Sequence, residues 1–228
     1  MRERFLLELR AFQRPLLPLR NAHRTRVKIC GITRPEDGLA AAAAGADAIG
    51  LVFYDRSPRA IDAARAWEIS AALPPFVMRV GLFVNARPDF VKATLAAVAL
   101  DLLQFHGDES EAYCSSFGRP YLKALRMKPG MDLAAAANAY GSAHGILVDA
   151  WHEEQFGGTG TSFDWSLLGT SLRHERLVLA GGLHPQNVAL AVAQVRPWAV
   201  DVSSGVERAP GIKDKSRIEQ FISEVQRV

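Results

Sequence analysis

Cys30 is the residue whose type and setting first point to chemistry. It ends the run Val27-Lys28-Ile29-Cys30, and Gly31-Ile32-Thr33 and then Pro35 follow. The pattern is a buried strand, a tight turn and a helix that opens with proline in its first turn. α/β proteins keep reactive groups at such strand ends. A thiolate there can take a proton from a carbon beside a carbonyl or iminium. Asp149, behind the apolar run that ends in Val148, can act as a carboxylic acid and protonate an oxygen that leaves or develops charge. Such a pair needs opposed tuning, the thiol lowered by nearby positive charge and the carboxyl raised by burial. Each residue alone has a plainer reading: Cys30 as a small buried hydrophobe, Asp149 as a helix cap or an ion-pair partner.

Three glycine-bearing segments lie late in the chain: Gly157-Gly158-Thr159-Gly160-Thr161, Gly181-Gly182 and Ser203-Ser204-Gly205. Glycine lets backbone N–H groups approach an anion closely, and Ser203 and Ser204 add hydroxyl donors. The stretch Trp151–Phe163 is the longest between a strand and its helix, and its glycines suit a flap closing over a ligand. No G-x-x-x-x-G-K-[ST] run is present, so a sugar phosphate fits better than a nucleotide.

These residues need a scaffold that brings distant strand ends together. From Val27 onward the chain repeats a short apolar run, a polar or glycine turn and an alanine-rich helical stretch. The predicted strands are Val27–Cys30, Ala48–Phe53, Val77–Val84, Leu102–His106, Tyr121–Met127, Gly145–Ala150, Leu177–Ala180 and Ala199–Ser203. The predicted helices are Pro35–Ala44, Ala63–Leu73, Pro88–Ala97, Glu109–Phe117, Leu133–Ala139, Asp164–Ser171, Pro185–Gln194 and Lys215–Arg227. Strands this apolar are buried on both faces. Eight βα units in about 200 residues fit an α/β fold of the closed (β/α)₈ TIM-barrel type. An open doubly wound sheet would announce a G-x-G-x-x-G turn after its first strand, and Gly31 stands alone. In a barrel the strand ends carry Cys30, Arg56 and Arg59, Asn85, His106, Arg126, Asp149, Gly181-Gly182 and Ser203-Ser204-Gly205. Polar residues at one end of greasy strands point to an enzyme, with Cys30 and Asp149 facing one another across the mouth.

Composition narrows the class. The 228 residues are 49% hydrophobic and 22% charged, as in an ordinary globular protein with a substantial core. Two cysteines, Cys30 and Cys114, make no disulfide framework and suit a reducing cytoplasm. No apolar run approaches a membrane span. Residues 1–26 hold seven arginines against two acids, a surplus of five, so with a whole-chain charge of +3 the remainder carries −2. The basic balance therefore belongs to residues 1–25, read as an extension, and residues 26–228 form the catalytic barrel. A nucleic-acid function would want a basic stripe on the folded part. The extension lacks the serine of a transit peptide and the long apolar core of a secretory signal.

Lys28-Ile29-Cys30-Gly31-Ile32-Thr33, Gln104-Phe105-His106-Gly107, Val148-Asp149, Gly157-Gly158-Thr159-Gly160, Ala180-Gly181-Gly182-Leu183, Asp201-Val202-Ser203-Ser204-Gly205-Val206-Glu207 and Pro210-Gly211-Ile212-Lys213-Asp214 together resemble phosphoribosylanthranilate isomerase of tryptophan biosynthesis, a (β/α)₈ enzyme. The match runs in order from Val27 to the C-terminus and leaves only the basic extension outside. The resemblance implies an Amadori rearrangement of an aminoaldose phosphate to a ketose, with no cofactor and no metal, in a cytoplasmic monomer or homodimer whose partner is a small-molecule substrate and neither nucleic acid nor membrane. It implies Asp149 as general acid and Cys30 as general base. It places phosphate at Gly158, Thr159, Gly160, Gly182, Ser203, Ser204 and Gly205, and the anthranilate and ribose beside Arg59, His106 and Asp201. Arg59 is preferred over Arg56 for the carboxylate because Ser57-Pro58-Arg59 aligns with the family's arginine. Another sugar-phosphate barrel, such as an epimerase or a dual-substrate isomerase, and a non-catalytic phosphate-binding protein remain alternatives.

Overall fold

The computed structural model describes residues 24–128, 130–150, 165–168 and 176–228. Eight parallel strands close into a barrel in sequence order: β1 (Arg26–Ile29), β2 (Ala48–Phe53), β3 (Met78–Phe83), β4 (Leu102–Phe105), β5 (Tyr121–Met127), β6 (Gly145–Ala150), β7 (Leu177–Leu179) and β8 (Ala199–Val202). Pairing of β1 with β8, in the register Lys28↔Asp201 and Ile29↔Val202, seals the ring. Every residue of β2 and of β6 is buried, as strands covered on both faces must be. The outer helices are α1 (Pro35–Ala44), α2 (Ala63–Ala72), α3 (Pro88–Ala97), α4 (Glu111–Ser115), α5 (Leu133–Asn138), α6 (Val188–Val195) and α7 (Lys215–Gln226). A 3-10 turn spans Trp165–Leu168. A small hairpin, β9 (Glu207–Ala209) with β10 (Ile212–Lys213), follows β8.

Local chemistry sets the helix ends. Pro35 opens α1 with Glu36 and Asp37 in its first turn, and Gly45 closes it at φ 97°, a left-handed cap that favours glycine. Asp62, Ser110, Asp132 and Asp214 cap their helices by accepting backbone N–H bonds from Arg65, Tyr113, Ala135 and Arg217. Two helices start later than the sequence predicts. Glu109 stays outside α4 because its carboxylate is engaged elsewhere: it accepts from Asn85 N (2.7 Å), Gly107 N (2.9 Å) and Lys123 Nζ (2.8 Å). α6 starts at Val188, not Pro185, because Asn187 is spent on the preceding turn, accepting from His184 N at 2.8 Å and donating to Gly182 O at 2.9 Å. Of the predicted helix Asp164–Ser171 only 165–168 is described. The glycine run at 157–161, the segment 151–163 and residues 1–23 lie outside the described residues.

Side chains alternate between the barrel interior and the helix layer. Leu122, Ala124, Leu147, Val178 and Ala180 fill the interior on one side, and Cys30, Val52, Leu82 and Val84 pack together on another. The larger core lies outside the barrel wall, where Phe53 and Phe83 stack at 5.2 Å and Phe105 meets Tyr113 edge-on at 5.6 Å. The Lys123–Glu109 pair is buried there, its ammonium also donating to Gly107 O at 2.6 Å, and so fixes the loop that carries His106. Lys123→Met leaves Glu109 as an unpaired buried charge and is expected to cost about 3–5 kcal/mol. Urea denaturation of the variant reads this directly, and a loss below about 1 kcal/mol would show the pair to be dispensable.

Candidate active site

Cys30 leaves β1 at the rim, where its N–H donates to Val202 O at 2.8 Å. Gly31 and Ile32 both donate to Gly50 O, at 3.0 and 2.9 Å, so the turn after the cysteine is pinned to β2. Lys28, two residues back, shares the inward face of the strand. Its Nζ lies 2.8 Å from Asp201 Oδ1 on β8, and both side chains are buried. A Cβ on Gly50 would stand 2.7 Å from Cys30 Sγ and 3.1 Å from Lys28 Nζ, so thiol and ammonium sit side by side over a position only glycine leaves clear. Burial pushes the Cys30 thiol up, and Asp201 adds to this, while Lys28 and Lys213 oppose it. The net direction is upward: the cations are present, but desolvation outweighs them. Burial works against the Lys28 ammonium too, yet the Asp201 carboxylate and the Cys30 sulfur hold it above the usual lysine value.

Asp149 stands on β6, three places round the ring from β1 through β8 and β7. Its Oδ1 accepts from Ala150 N at 2.9 Å and its Oδ2 lies 3.1 Å from His106 Nε2. The His106 Nδ1 faces Gln104 Nε2 at 3.0 Å. With that amide donating to Nδ1, the imidazole proton belongs on Nε2 and points to Asp149. Gln104 is wholly buried, and its Oε1 has no hydrogen-bond partner among the described residues. Gly181 and Gly182 follow β7 at φ 83° and 64°. A Cβ on Gly181 would stand 2.6 Å from Ala150 N and 3.2 Å from Asp149 Oδ1, so this loop passes against the carboxylate.

Arg59 reaches the rim from the loop after β2. Its Nε and Nη2 donate to Glu207 Oε1 and Oε2, each at 2.8 Å, a bidentate grip that leaves Nη1 for another partner. Lys213 Nζ shares Glu207 Oε1 at 2.8 Å and donates to Ser203 O at 3.2 Å. Burial opposes the guanidinium charge, but Glu207 holds Arg59 above its ordinary value. Burial also opposes the Glu207 charge, and Arg59 and Lys213 together hold that carboxyl below its ordinary range. For Lys213 burial wins and lowers the ammonium. Gly31 sits at φ 74°, and a Cβ there would meet Arg59 Cδ at 2.5 Å, so the arginine lies across the glycine that follows Cys30.

These groups line one cleft that opens to solvent at its mouth. Of the residues named from sequence, Cys30, Arg59, His106, Asp149, Gly182, Asp201, Ser203 and Ser204 line it. Gly205 lies in the turn behind Ser204, against Leu183 and His184. Gly158, Thr159 and Gly160 fall outside the described residues. Asn85 and Arg126 are not among the lining residues, and Arg56 is exposed beside the cleft-lining Arg59. Sequence reading overlooks Lys28 and Gln104, although a signal exists: each is a polar residue two places before a named one in an apolar strand, hence on the same face. Among the described residues no three of His, Cys, Asp or Glu converge as a metal ion would require, and no helix is long and apolar enough to cross a membrane.

Comparison with known proteins covers nearly the whole described chain. The family model for N-(5'-phosphoribosyl)anthranilate (PRA) isomerase matches residues 27–224. An N-(5'-phosphoribosyl)anthranilate isomerase of Pseudomonas aeruginosa is 62% identical over 201 residues, 88% of this chain and 95% of that protein. One from Acidithiobacillus ferrooxidans is 58% identical over 201 residues, 88% of this chain and 97% of its own length. Among solved structures, phosphoribosyl anthranilate isomerase from Thermotoga maritima superposes with a TM-score of 0.81 at 42% identity, covering 90% of this chain and all of its own. A structure of such an isomerase in complex with reduced 1-(o-carboxyphenylamino)-1-deoxyribulose 5-phosphate gives 0.78 at 42% identity, with the same coverage.

Proposed function

The chain belongs to the N-(5'-phosphoribosyl)anthranilate isomerase family, isomerases of tryptophan biosynthesis, and from that premise we propose that Cys30 and Asp149 carry out its proton transfers without cofactor or metal. The observation that carries this reading is one cleft lined by both side chains, with Arg59 and the glycine and serine residues of the loops after β7 and β8 also among its lining. Asp149 gives its proton to the ribose ring oxygen as the C1′–O bond breaks, and the nitrogen lone pair closes the iminium. Cys30, as thiolate, takes the C2′ proton, and the electrons of that C–H bond become the C1′=C2′ bond of an enolamine. Loss of the C2′ hydroxyl proton and protonation at C1′ then give the ketose, 1-(2-carboxyphenylamino)-1-deoxyribulose 5-phosphate. His106 holds the Asp149 carboxyl in place, and Gln104 sets the tautomer of His106.

The substrate's two anionic ends sort themselves by the donors available. The phosphate goes to backbone N–H groups of Gly182 and of the Ser203–Gly205 turn, because glycine loops after strands 7 and 8 suit an anion. The anthranilate carboxylate goes to Arg59, whose planar guanidinium is held ready by Glu207. Arg59→Met is accordingly expected to raise KM about 10–100-fold, the worth of a charge-assisted hydrogen bond, with a smaller fall in kcat. Steady-state kinetics separate the two. A variant with unchanged KM would move the carboxylate elsewhere. Glu207→Gln, which loosens the arginine without removing it, should raise KM by less.

Isomerase turnover on N-(5-phosphoribosyl)anthranilate generated in situ tests the reading as a whole. Retained turnover after prolonged chelation supports a metal-free reaction. Abolition by the chelator and recovery on adding a divalent cation would replace this chemistry with a metal-assisted one.

A further inference from the structure

Among the described residues, the charged groups that face the Cys30 sulfur come from four elements. They are Lys28 on its own strand, Asp201 on β8, Lys213 on β10 and Arg59 from the loop after β2. Three of these are cations, but they are not equivalent. Arg59 and Lys213 share the Glu207 carboxylate, which takes two guanidinium nitrogens and an ammonium proton at 2.8 Å each. Among the described residues Lys28 has one carboxylate contact, to one oxygen of Asp201. An ammonium has three donors, so protons remain on the side that faces the sulfur, across the space a Gly50 Cβ would fill.

Burial of an ammonium inside a barrel is costly, and a purely structural pair would be sealed on all sides. The Lys28–Asp201 pair instead stands at the edge of the cleft: Asp201 and Cys30 both line it, and Lys28 is buried beside them. The register explains the placement. Lys28 is opposite Asp201 across the β1–β8 seam, and β-strand alternation then puts Cys30 directly above Lys28. Glycine at position 50 of β2 keeps the neighbouring wall open so that sulfur and nitrogen can meet.

We propose that Lys28 is a positioning residue for Cys30, its ammonium anchored by Asp201 on the adjoining strand and set beside the sulfur to hold the thiolate that forms there. Asp201 acts in two opposed ways, fixing the cation and repelling the thiolate. The inference rests on the reading of Cys30 as the base, but its test does not pass through turnover.

The test is alkylation of Cys30 by iodoacetamide across a pH series on the full chain, read by mass spectrometry at the Cys30 peptide. Cys114 is followed separately, and its thiol, buried and pushed up to about 12, is expected to stay unreactive. Thiolate, not thiol, is the reacting form, so the midpoint of the rate against pH reports the Cys30 ionisation. Lys28→Met should move the midpoint up and slow alkylation at about pH 8 roughly tenfold, the equivalent of one pKa unit. Asp201→Asn should move it down, and Lys28→Arg should recover part of the wild-type rate. A merely structural pair would shift Lys28→Met and Asp201→Asn in the same direction. Should Lys28→Met fail to fold by circular dichroism, the double variant Lys28→Met/Asp201→Asn removes both charges and should keep its midpoint above wild type. An unmoved midpoint in the folded lysine variant, or a double variant at or below wild type, overturns the inference. If Cys30→Ser retains turnover while these shifts appear, the base reading fails and Lys28 still governs the thiol. If the shifts are absent while Cys30→Ser is inactive, only the Lys28 inference fails.

Discussion

Cys30→Ser is expected to lower kcat by about a thousandfold, within the range of about 10²–10⁴ that a positioned general base contributes, while leaving KM within a few-fold of wild type. A serine hydroxyl does not ionise in the working range of a thiol, so the proton acceptor is removed while the shape of the side chain is nearly kept. The fold should survive because the new hydroxyl replaces a sulfur already beside the Lys28 ammonium, which it can accept from. A melting temperature within a few degrees of wild type would show this. Turnover within tenfold of wild type would take Cys30 out of the proton transfer and leave C2′ to another base. Cys30→Ala, with no acceptor at all, should be at least as inactive.

Asp149→Asn is expected to be comparably severe. An amide cannot give up a proton to the ribose ring oxygen, and ring opening precedes every later step. The amide is isosteric with the acid: its oxygen can keep the contact with Ala150 N, and its nitrogen can meet His106 Nε2 once the imidazole proton moves to Nδ1 and the Gln104 amide turns its Oε1 to accept it. Binding should therefore change little, and the loss should fall on kcat. His106→Asn keeps the carboxyl but loosens it, so an intermediate loss, smaller than that of Asp149→Asn, marks a positioning role. Equal losses in the two variants would instead make the imidazole a participant in the transfer.

The barrel is legible in the sequence because each strand is a short apolar run between turn residues, and β2, β5 and β6 keep their predicted limits. Five strands end one residue early, at Ile29, Phe83, Phe105, Leu179 and Val202. For four of them the reason is functional, since Cys30, His106, Ala180 and Ser203 leave the ladder to line the cleft. Glu109 reads as the start of a helix from its neighbours alone, and only the fold reveals that Lys123, Asn85 and Gly107 occupy its carboxylate. Choosing between Arg56 and Arg59 depends on the path of a loop, which Ser57 fixes by donating its N–H to Tyr54 O and accepting from Arg59 N at Oγ. Lys28 and Gln104 escape notice because a polar residue in an apolar strand reads as an interruption. Their partners, Asp201 and His106, are a seam of the barrel and a strand position away.

Conversion of N-(5-phosphoribosyl)anthranilate, generated in situ and followed continuously with the wild-type chain beside Cys30→Ser and Asp149→Asn, tests the pairing of thiol and carboxyl most directly. The expected result is steady turnover by the wild type, on the order of 1–10³ s⁻¹ as for typical enzymes, and its near-disappearance in each folded variant. Wild-type turnover that persists in both variants would contradict the pairing, and a folded wild-type chain that leaves the substrate unchanged would contradict the isomerase activity itself.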